Sequence, residues 1–357
     1  MLMLAKTFQV SSHVTHMPHL KSGPVIPLYH PTSVLLVDDN EAFLRSLKLV
    51  LQDGFECFAF TDAAGAIAFL RSEAELLSTL TPSPTDDESP LMEHIRDPLQ
   101  RELHIRVSQL PRLFADKRRF SRPSIVVADH AMPGLNGLDM LETLRDLPQR
   151  KVLLSGTVDE SRAHAAVASG LIDAYQPKQH PDLHDSLIVR LKALQFDYFG
   201  AVTRPLEPAL TGADTRFLQD DAFVHAFARF IKDHRIVEHC VLMQPPGILG
   251  LDERGAPTIL LVADDDYRQA SFEIAQAEEA PVGLLRRLAF PSTLAVFPTV
   301  TGFYSREIGE NWSPFLWQST RLGRAGLQTA VISDADVVRH VCGSVSSYAE
   351  YRLRRIN

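Results

Sequence analysis

Short apolar runs alternate with amphipathic stretches over residues 33–199. The runs are rich in Val, Ile and Leu without polar alternation, which predicts strands that are buried on both faces. The predicted strands are residues 33–37, 55–60, 124–128, 151–155 and 171–176. The predicted helices, which have apolar residues at helical spacing, are residues 41–54, 61–77, 137–147, 159–170 and 181–199. This alternation predicts an α/β fold, a doubly wound five-stranded parallel sheet covered by helices.

Three further segments set the predicted domain boundaries. Residues 78–122 begin with an acidic, turn-rich stretch and continue with helical periodicity broken by prolines, which predicts a helical insertion on the surface of the first domain. We expect that domain to span residues 33–199, after an N-terminal extension at residues 1–32. Residues 200–212 are predicted to be a linker.

Residues 206–357 follow a different pattern and predict a second domain of the α+β class. Residues 214–236 predict an amphipathic helix with several phenylalanines near one face. Residues 247–265 predict two strands joined by a polar turn, and therefore an antiparallel hairpin. Further helices are predicted at residues 276–290 and 333–357, and β structure at residues 292–304.

Composition narrows the class of protein. The chain has 357 residues, 45% of them hydrophobic and 22% charged, which is enough apolar material for two cores. Its net charge of −8 argues against nucleic-acid binding driven by charge alone. Three widely spaced cysteines do not suggest a disulfide framework or a zinc site. The few cysteines favour a cytoplasmic protein. No apolar run approaches the roughly 20 residues that span a bilayer, so we expect no membrane insertion.

The candidate chemistry lies where the predicted strands end. The residues at these strand ends are Asp38, Asp39, Asp129, Ser155, Tyr175 and Lys178. Because sites of doubly wound sheets lie beyond the carboxyl ends of the strands, we expect these side chains to converge. Three converging carboxylates need a cation, and oxygen ligands suit Mg²⁺. A lysine and a hydroxyl can bind the oxygens of a phosphoryl group. The pattern therefore indicates a carboxylate nucleophile, Asp129, that becomes an acyl phosphate.

Each of these residues also has an ordinary structural interpretation. An Asp before a turn is usually a cap, a Lys after a strand is usually solvated, and a Tyr on a strand usually belongs to the core. Their occurrence together, in order and at separate strand ends, favours the functional interpretation.

The layout resembles the receiver domain of two-component response regulators. The motifs that carry the resemblance are VLLVDDN (34–40), VVADHAMPGLNG (126–137), KVLLSGT (151–157) and DAYQPK (173–178). The resemblance implies a flavodoxin-like fold with Asp129 as the phosphoacceptor and Lys178 as the lysine that contacts the phosphoryl group. It implies a Mg²⁺ site formed by Asp38, Asp39, Asp129 and the backbone carbonyl of Ala131. It also implies that Ser155 and Tyr175 are the switch residues.

The same resemblance implies partners. A sensor histidine kinase or a phosphotransfer protein would donate the phosphoryl group, and the protein would form a homodimer. The chain would be a signalling protein and not an enzyme, apart from slow autophosphatase activity. A receiver with a long insert also looks like regulators of bacterial small-molecule quorum-sensing circuits.

Three features depart from the receiver pattern. Gln179 stands where a proline usually follows the lysine, which leaves the geometry of this loop open. Asp39 and Asp129 lie 90 residues apart, about twice the separation in a minimal receiver, and a looped-out insertion accommodates this at small cost. Ala131 and Thr157 are small, which predicts water access to the phosphoryl group.

The function of residues 206–357 stays open between alternatives. One is a ligand- or nucleotide-binding or enzymatic domain that the receiver gates; the hairpin weakly resembles the sheets of PAS-type modules. The other is a DNA-binding transcriptional output, which is less favoured because the basic residues cluster only at the chain end, at Arg352, Arg354 and Arg355. The acidic run at residues 264–266 is interpreted as a solvated strand end in preference to a metal site.

Overall fold

The computed structural model describes residues 25–73, 97–156, 160–210, 213–299, 301–323 and 326–356. These residues fall into two compact units. The first unit contains Ser33–Ala68 and Ile125–Gln195, and the second unit contains the other described residues.

The strands and helices are numbered in chain order. The strands are β1 (Leu28–Tyr29), β2 (Ser33–Val37), β3 (Glu56–Phe60), β4 (Pro123–Asp129), β5 (Arg150–Ser155), β6 (Ala174–Pro177), β7 (Ile236–Leu242), β8 (Gly247–Asp252), β9 (Pro257–Ala263), β10 (Thr293–Ala295), β11 (Leu316–Gln318), β12 (Thr320–Arg321) and β13 (Gln328–Ile332). The α-helices are α1 (Glu41–Leu51), α2 (Ala63–Ser72), α3 (Pro98–Ser108), α4 (Leu110–Leu113), α5 (Gly137–Thr143), α6 (Glu160–Ala168), α7 (Leu183–Thr203), α8 (Glu207–Leu210), α9 (Asp221–Asp233), α10 (Asp265–Ala277), α11 (Val282–Leu288), α12 (Ala335–Cys342) and α13 (Tyr348–Ile356). Short 3₁₀ turns cover Lys117–Phe120, Arg204–Leu206, Ala213–Gln219, Arg306–Ile308 and Ser313–Phe315.

The first unit is built on a parallel sheet of five strands in the order β3-β2-β4-β5-β6. Every residue of β2 and β4 is buried, as the uninterrupted apolar runs predict for strands covered on both faces. Apolar residues of α1 and α7, among them Leu47, Leu51 and Leu187, pack on Val34 and Val127 of the sheet. The predicted doubly wound parallel sheet is confirmed.

The strand order reverses beside β2. The chain passes from β2 outward to β3 on one side and then returns to place β4 on the other side of β2. Such a reversal opens a crevice beyond the carboxyl ends of the two central strands. Asp38 directly follows β2 and Asp129 ends β4, so both residues lie at this crevice.

The second unit contains an antiparallel sheet of six strands in the order β1-β7-β8-β9-β13-β12, and a two-stranded sheet of β10 and β11. The predicted hairpin is present as β8 and β9, with Leu251 opposite Pro257. Oδ1 of Asp252 closes its turn by accepting hydrogen bonds from the backbone N–H groups of Arg254 and Ala256. An α+β second domain is therefore confirmed.

The insertion belongs to a different unit from the one that the sequence predicts. Residues 78–96 lie outside the described residues, but residues 97–122 belong to the second unit and not to the surface of the first. They form α3, α4 and a 3₁₀ turn, and Leu110, Phe114 and Phe120 are fully buried. Burial of these large apolar side chains is the reason the segment packs within a core.

The predicted linker and N-terminal extension also contain ordered structure. Over residues 200–210, α7 continues to Thr203 and is followed by a 3₁₀ turn and α8, in which Leu206 and Ala209 are buried. In the extension, β1 pairs with β7, placing Leu28 opposite Cys240. Both segments carry apolar residues that the second unit buries.

The acidic run after β9 begins a helix. Oδ1 of Asp264 accepts the backbone N–H of Tyr267 at 2.8 Å and caps α10, whose first turn contains Asp265 and Asp266. This corrects the interpretation as a simple strand end, because a side-chain oxygen here satisfies a free helical N–H group. Within the described part of the chain, no helix is long and apolar enough to cross a bilayer.

Candidate functional site

Three carboxylates meet at the crevice of the first unit. Asp38 and Asp129 are buried, whereas the neighbouring Asp39 is exposed. One carboxylate oxygen from each of the three lies within 4.8 Å of the others. The structure thus brings together the three acids that the strand-end pattern predicts.

Lys178 joins two of these carboxylates. Its Nζ lies 2.6 Å from Oδ2 of Asp38 and 2.8 Å from Oδ1 of Asp129. It also lies 4.6 Å from the centre of the Phe43 ring, a distance at which a cation and an aromatic face attract each other. Partial burial lowers the pKa of Lys178, but its hydrogen bonds with Asp129 and Asp38 outweigh this and raise the pKa above its ordinary value. The lysine is therefore a fixed positive charge.

Backbone N–H groups orient the two buried carboxylates. The N–H of Asn40 donates to Oδ1 of Asp38 at 2.9 Å, and Asn40 in turn caps α1 through the N–H groups of Ala42 and Phe43. The N–H of Ala131 donates to Oδ2 of Asp129 at 3.1 Å. Each carboxylate thus has one oxygen held by the backbone and the other by Lys178, which fixes both before any ligand arrives.

The loop after Asp129 requires a glycine at its end. The N–H of Gly137 donates to the carbonyl of His130 at 3.0 Å, which brings the start of α5 against the preceding strand. A Cβ added at Gly137 would lie 2.1 Å from the carbonyl oxygen of Asp129. Asn136 caps α5 by accepting the N–H of Asp139 at 3.0 Å. The Asn-Gly pair therefore starts the helix and leaves space for the backbone of Asp129.

Ser155 lies on β5, the strand next to β4, and Tyr175 lies on β6, the edge strand beyond β5. Ser155 is buried at the end of β5, and its carbonyl accepts the backbone N–H of Lys178 at 2.8 Å. Tyr175 is half-buried on β6, opposite Leu153 in the parallel register. Their roles as switch residues stay predictions, and Thr157 lies outside the described residues.

Gln179 has a structural role that the sequence left open. Its Nε2 donates to the carbonyl of Gly156 at 2.6 Å. It thereby ties the loop that carries Lys178 to the residue following Ser155. No pattern in the sequence signals this contact, because it joins two loops that are apart in the chain.

The ligand set of the crevice fits a small divalent cation. Asp38, Asp39 and Asp129 are oxygen donors, the type that Mg²⁺ prefers, and Mg²⁺ is usually held by one or two carboxylates with water completing its shell. Lys178 neutralises only part of their combined charge. The backbone carbonyl of Ala131 as a further ligand stays a prediction.

A doubly wound parallel sheet of five strands, with this group of acids and a lysine at its carboxyl edge, is the fold of a receiver domain. Over most of its length, the chain has the fold of a response regulator in which a receiver is joined to a second domain. The response regulator LqsR of Legionella pneumophila has a similar structure, with 23% sequence identity and a TM-score of 0.66 over 93% of this chain and 96% of that chain.

Other comparisons cover less of the chain. A receiver domain protein described as CheY-like from Methanospirillum hungatei is 17% identical over 48% of this chain and 98% of that chain, with a TM-score of 0.32. The adenylate cyclase from Rhodopirellula baltica is 18% identical over 50% of this chain and 96% of that chain, with a TM-score of 0.33. No protein-family model and no curated protein matches the sequence.

Proposed function

We propose that the chain is a response regulator of a two-component phosphorelay and that Asp129 is its phosphoacceptor. The observation that carries the proposal is Lys178, whose ammonium lies 2.6 Å from Asp38 and 2.8 Å from Asp129 beside a third acid, Asp39. A buried carboxylate paired with a fixed cation at the carboxyl edge of a parallel sheet is suited to accept a phosphoryl group.

The geometry suggests a separate role for each residue of the site. Oδ2 of Asp129 is held by the N–H of Ala131, so Oδ1, next to Lys178, is the oxygen that forms the new O–P bond while the P–N bond to the donor histidine breaks. Lys178 then pairs with the transferred phosphoryl oxygens. Asp38, Asp39, Asp129 and the Ala131 carbonyl would hold Mg²⁺. The bound ion supplies positive charge that offsets the charge of the phosphoryl oxygens.

The proposed signal passes from Asp129 through Ser155 and Tyr175. Phosphorylation would shift the receiver between two states through these residues and alter homodimerisation or the action of the second domain. A sensor histidine kinase or a phosphotransfer protein is the proposed donor. A cytoplasmic location is supported by Cys57, Cys240 and Cys342, which are free thiols. A role in quorum-sensing-type signalling rests on the sequence resemblance alone.

The test is phosphorylation of the full chain by acetyl phosphate with Mg²⁺, read by intact mass and by peptide mapping after reduction with borohydride. We expect the wild type to gain one phosphoryl group and Asp129→Asn to gain none, because the amide is not a nucleophile. The matched control is Asp139→Asn, which changes an exposed carboxylate on α5 and should leave phosphorylation unchanged. A wild type that stays unmodified, or an Asp129→Asn variant modified as well as the wild type, would contradict the proposal.

A further inference from the structure

A cavity of about 640 Å³ lies within the second unit. This volume falls in the range of roughly 300–1,000 Å³ that is typical of small-molecule sites. Its walls come from the 3₁₀ turn before α9, the turn between β7 and β8, and the first turn of α10. Nothing in the proposed phosphoacceptor chemistry uses this cavity.

Aromatic rings line part of the cavity. Tyr267 and Phe303 both line the cavity, with ring centres 5.2 Å apart and ring planes inclined by 33°. Phe217 also lines it and is anchored by an edge contact with Phe223, at 4.8 Å between ring centres. The hydroxyl oxygen of Tyr267 is closed off from solvent. A molecule that enters the cavity therefore meets the tyrosine ring and not its hydroxyl group.

Three carboxylates also line the cavity. Asp220 and Asp264 line the cavity, and each caps a helix with one oxygen, at 3.0 Å from the N–H of Phe223 and 2.8 Å from the N–H of Tyr267. The second oxygen of each has no hydrogen bond within the described residues. Asp266, in the first turn of α10, is a third lining acid and is exposed.

The charge of the cavity selects the ligand class. Among the described lining residues the one basic side chain is Arg216, which is exposed, so the three acids leave an excess of negative charge. A phosphate-bearing ligand such as a nucleotide would be repelled by this excess. A bare metal ion fits poorly too, because these acids do not form a close group of ligand oxygens, whereas Asp38, Asp39 and Asp129 do.

Aromatic faces and carboxylates together bind organic ammonium groups. The rings attract the cation through their quadrupole, and the carboxylate oxygens accept charge-assisted hydrogen bonds from the N–H groups. We propose that the cavity binds a small protonated amine with an apolar or aromatic body, its ammonium group at Asp220 and Asp264 and its body against Tyr267 and Phe303.

The first experiment measures binding of amines to the full-length protein by isothermal titration calorimetry. The panel is tyramine, tryptamine, spermidine and agmatine, with 4-ethylphenol and 4-hydroxyphenylacetate as neutral and anionic analogues of tyramine. We expect at least one amine to bind, and for tyramine an affinity about tenfold or more above both analogues, as expected for a charge-assisted contact worth about 1.5 kcal/mol or more. Failure of all four amines, or equal binding of tyramine and 4-ethylphenol, would overturn the proposal.

The second experiment locates the site with the tightest-binding amine of the panel. Asp264→Asn keeps an N-cap side chain but removes the charge, so the helix is preserved and the affinity should fall about tenfold. The matched control is Asp334→Asn, the same change at the cap of α12, which lies outside the cavity and should leave affinity unchanged. Asp266→Asn, at an exposed residue, gives a second variant with no folding risk. Equal affinities in Asp264→Asn, Asp266→Asn and Asp334→Asn would refute the assignment.

Discussion

Nη2 of Arg119 lies 2.6 Å from Oε2 of Glu238, and both side chains are completely buried in the second unit. The guanidinium also donates to the carbonyls of Phe114, at 2.9 Å, and Ser346. Glu238 accepts the backbone N–H of Tyr348 at 2.7 Å through its other oxygen. This ion pair therefore joins the inserted segment, β7 and the start of α13.

Removing one member of this pair should destabilise the second unit. Burial raises the pKa of Glu238 and lowers that of Arg119, because the interior disfavours both charges, and each charge is tolerated only through the other. We expect Arg119→Met to lower the free energy of unfolding by about 3–5 kcal/mol. Urea denaturation followed by tryptophan fluorescence measures this, since Trp312 and Trp317 both belong to the second unit.

Two controls separate the pair from general effects at this segment. Arg118→Met, at the exposed neighbour of Arg119, should change stability little. The double variant Arg119→Met/Glu238→Leu should recover much of the loss, because it leaves no unpaired buried charge. A double variant as unstable as Arg119→Met would show that the hydrogen bonds to the carbonyls, and not the ion pair, stabilise the segment.

His239, the next residue of β7, should make stability depend on pH. Burial lowers its pKa to about 4 from the ordinary 6.5, and its Nε2 donates to the carbonyl of Ile26 at 2.9 Å. Between these two pH values the unfolded chain takes up a proton that the folded protein excludes, so stability falls as the pH falls from about 6.5 to 4. The difference between the two pKa values corresponds to a loss of about 3 kcal/mol in the free energy of unfolding.

The measurement is urea unfolding at several pH values for the wild type and His239→Gln, whose amide keeps a donor but does not titrate. We expect a shallower decline below pH 6.5 for the variant. His30, also buried and with its pKa lowered, adds a similar dependence that both proteins share. His225→Gln, at an exposed histidine of α9, should follow the wild type. Superimposable profiles for His239→Gln and the wild type would refute the prediction.

Lys178 should limit how strongly Mg²⁺ stabilises the first unit. Lys178→Met leaves the buried Asp38 and Asp129 carboxylates without a shared cation, so the free energy of unfolding without divalent ions should fall by about 1–3 kcal/mol. Added Mg²⁺ should then raise the melting temperature of the variant more than that of the wild type, as measured by calorimetry. Lys48→Met, at an exposed lysine of α1, is the control. Equal Mg²⁺ shifts in all three proteins would contradict the prediction, because they would show that Lys178 does not oppose Mg²⁺ binding.

Gly137 should be needed for rapid phosphorylation although it carries no side chain. In Gly137→Ala the new Cβ would collide with the carbonyl oxygen of Asp129, so the loop must move and take the carboxylate out of position. We expect phosphorylation by acetyl phosphate to slow about tenfold or more, since small displacements of reacting groups have large effects on rate. Gly200→Ala, within α7 and with open space around its Cβ position, should react as the wild type does. Similar rates for both variants would contradict the prediction.

The first unit and its acidic crevice follow closely from the sequence. Its strands are continuous apolar runs and its helices have clear periodicity, because each element is buried in a regular way by its neighbours in the chain. Parallel strands also bring their carboxyl ends to one edge of the sheet, so Asp38, Asp129 and Lys178 were predicted to converge without knowledge of any distance. No comparable pattern in the sequence predicts hydrogen bonds such as that of Gln179 with Gly156.

Important parts of the second unit could not be predicted from the sequence and are seen only in the tertiary structure. β7 was not predicted, because Glu238 and His239 are polar residues in the strand, and their burial is possible only with partners as distant as Arg119 and Ile26. The insertion was assigned to the domain that surrounds it in the sequence, whereas in the structure it packs with residues more than a hundred positions away. Local periodicity reflects how an element is buried, but not which part of the chain buries it. Only the folded structure decides that, because it depends on long-range packing and on the pairing of buried charges.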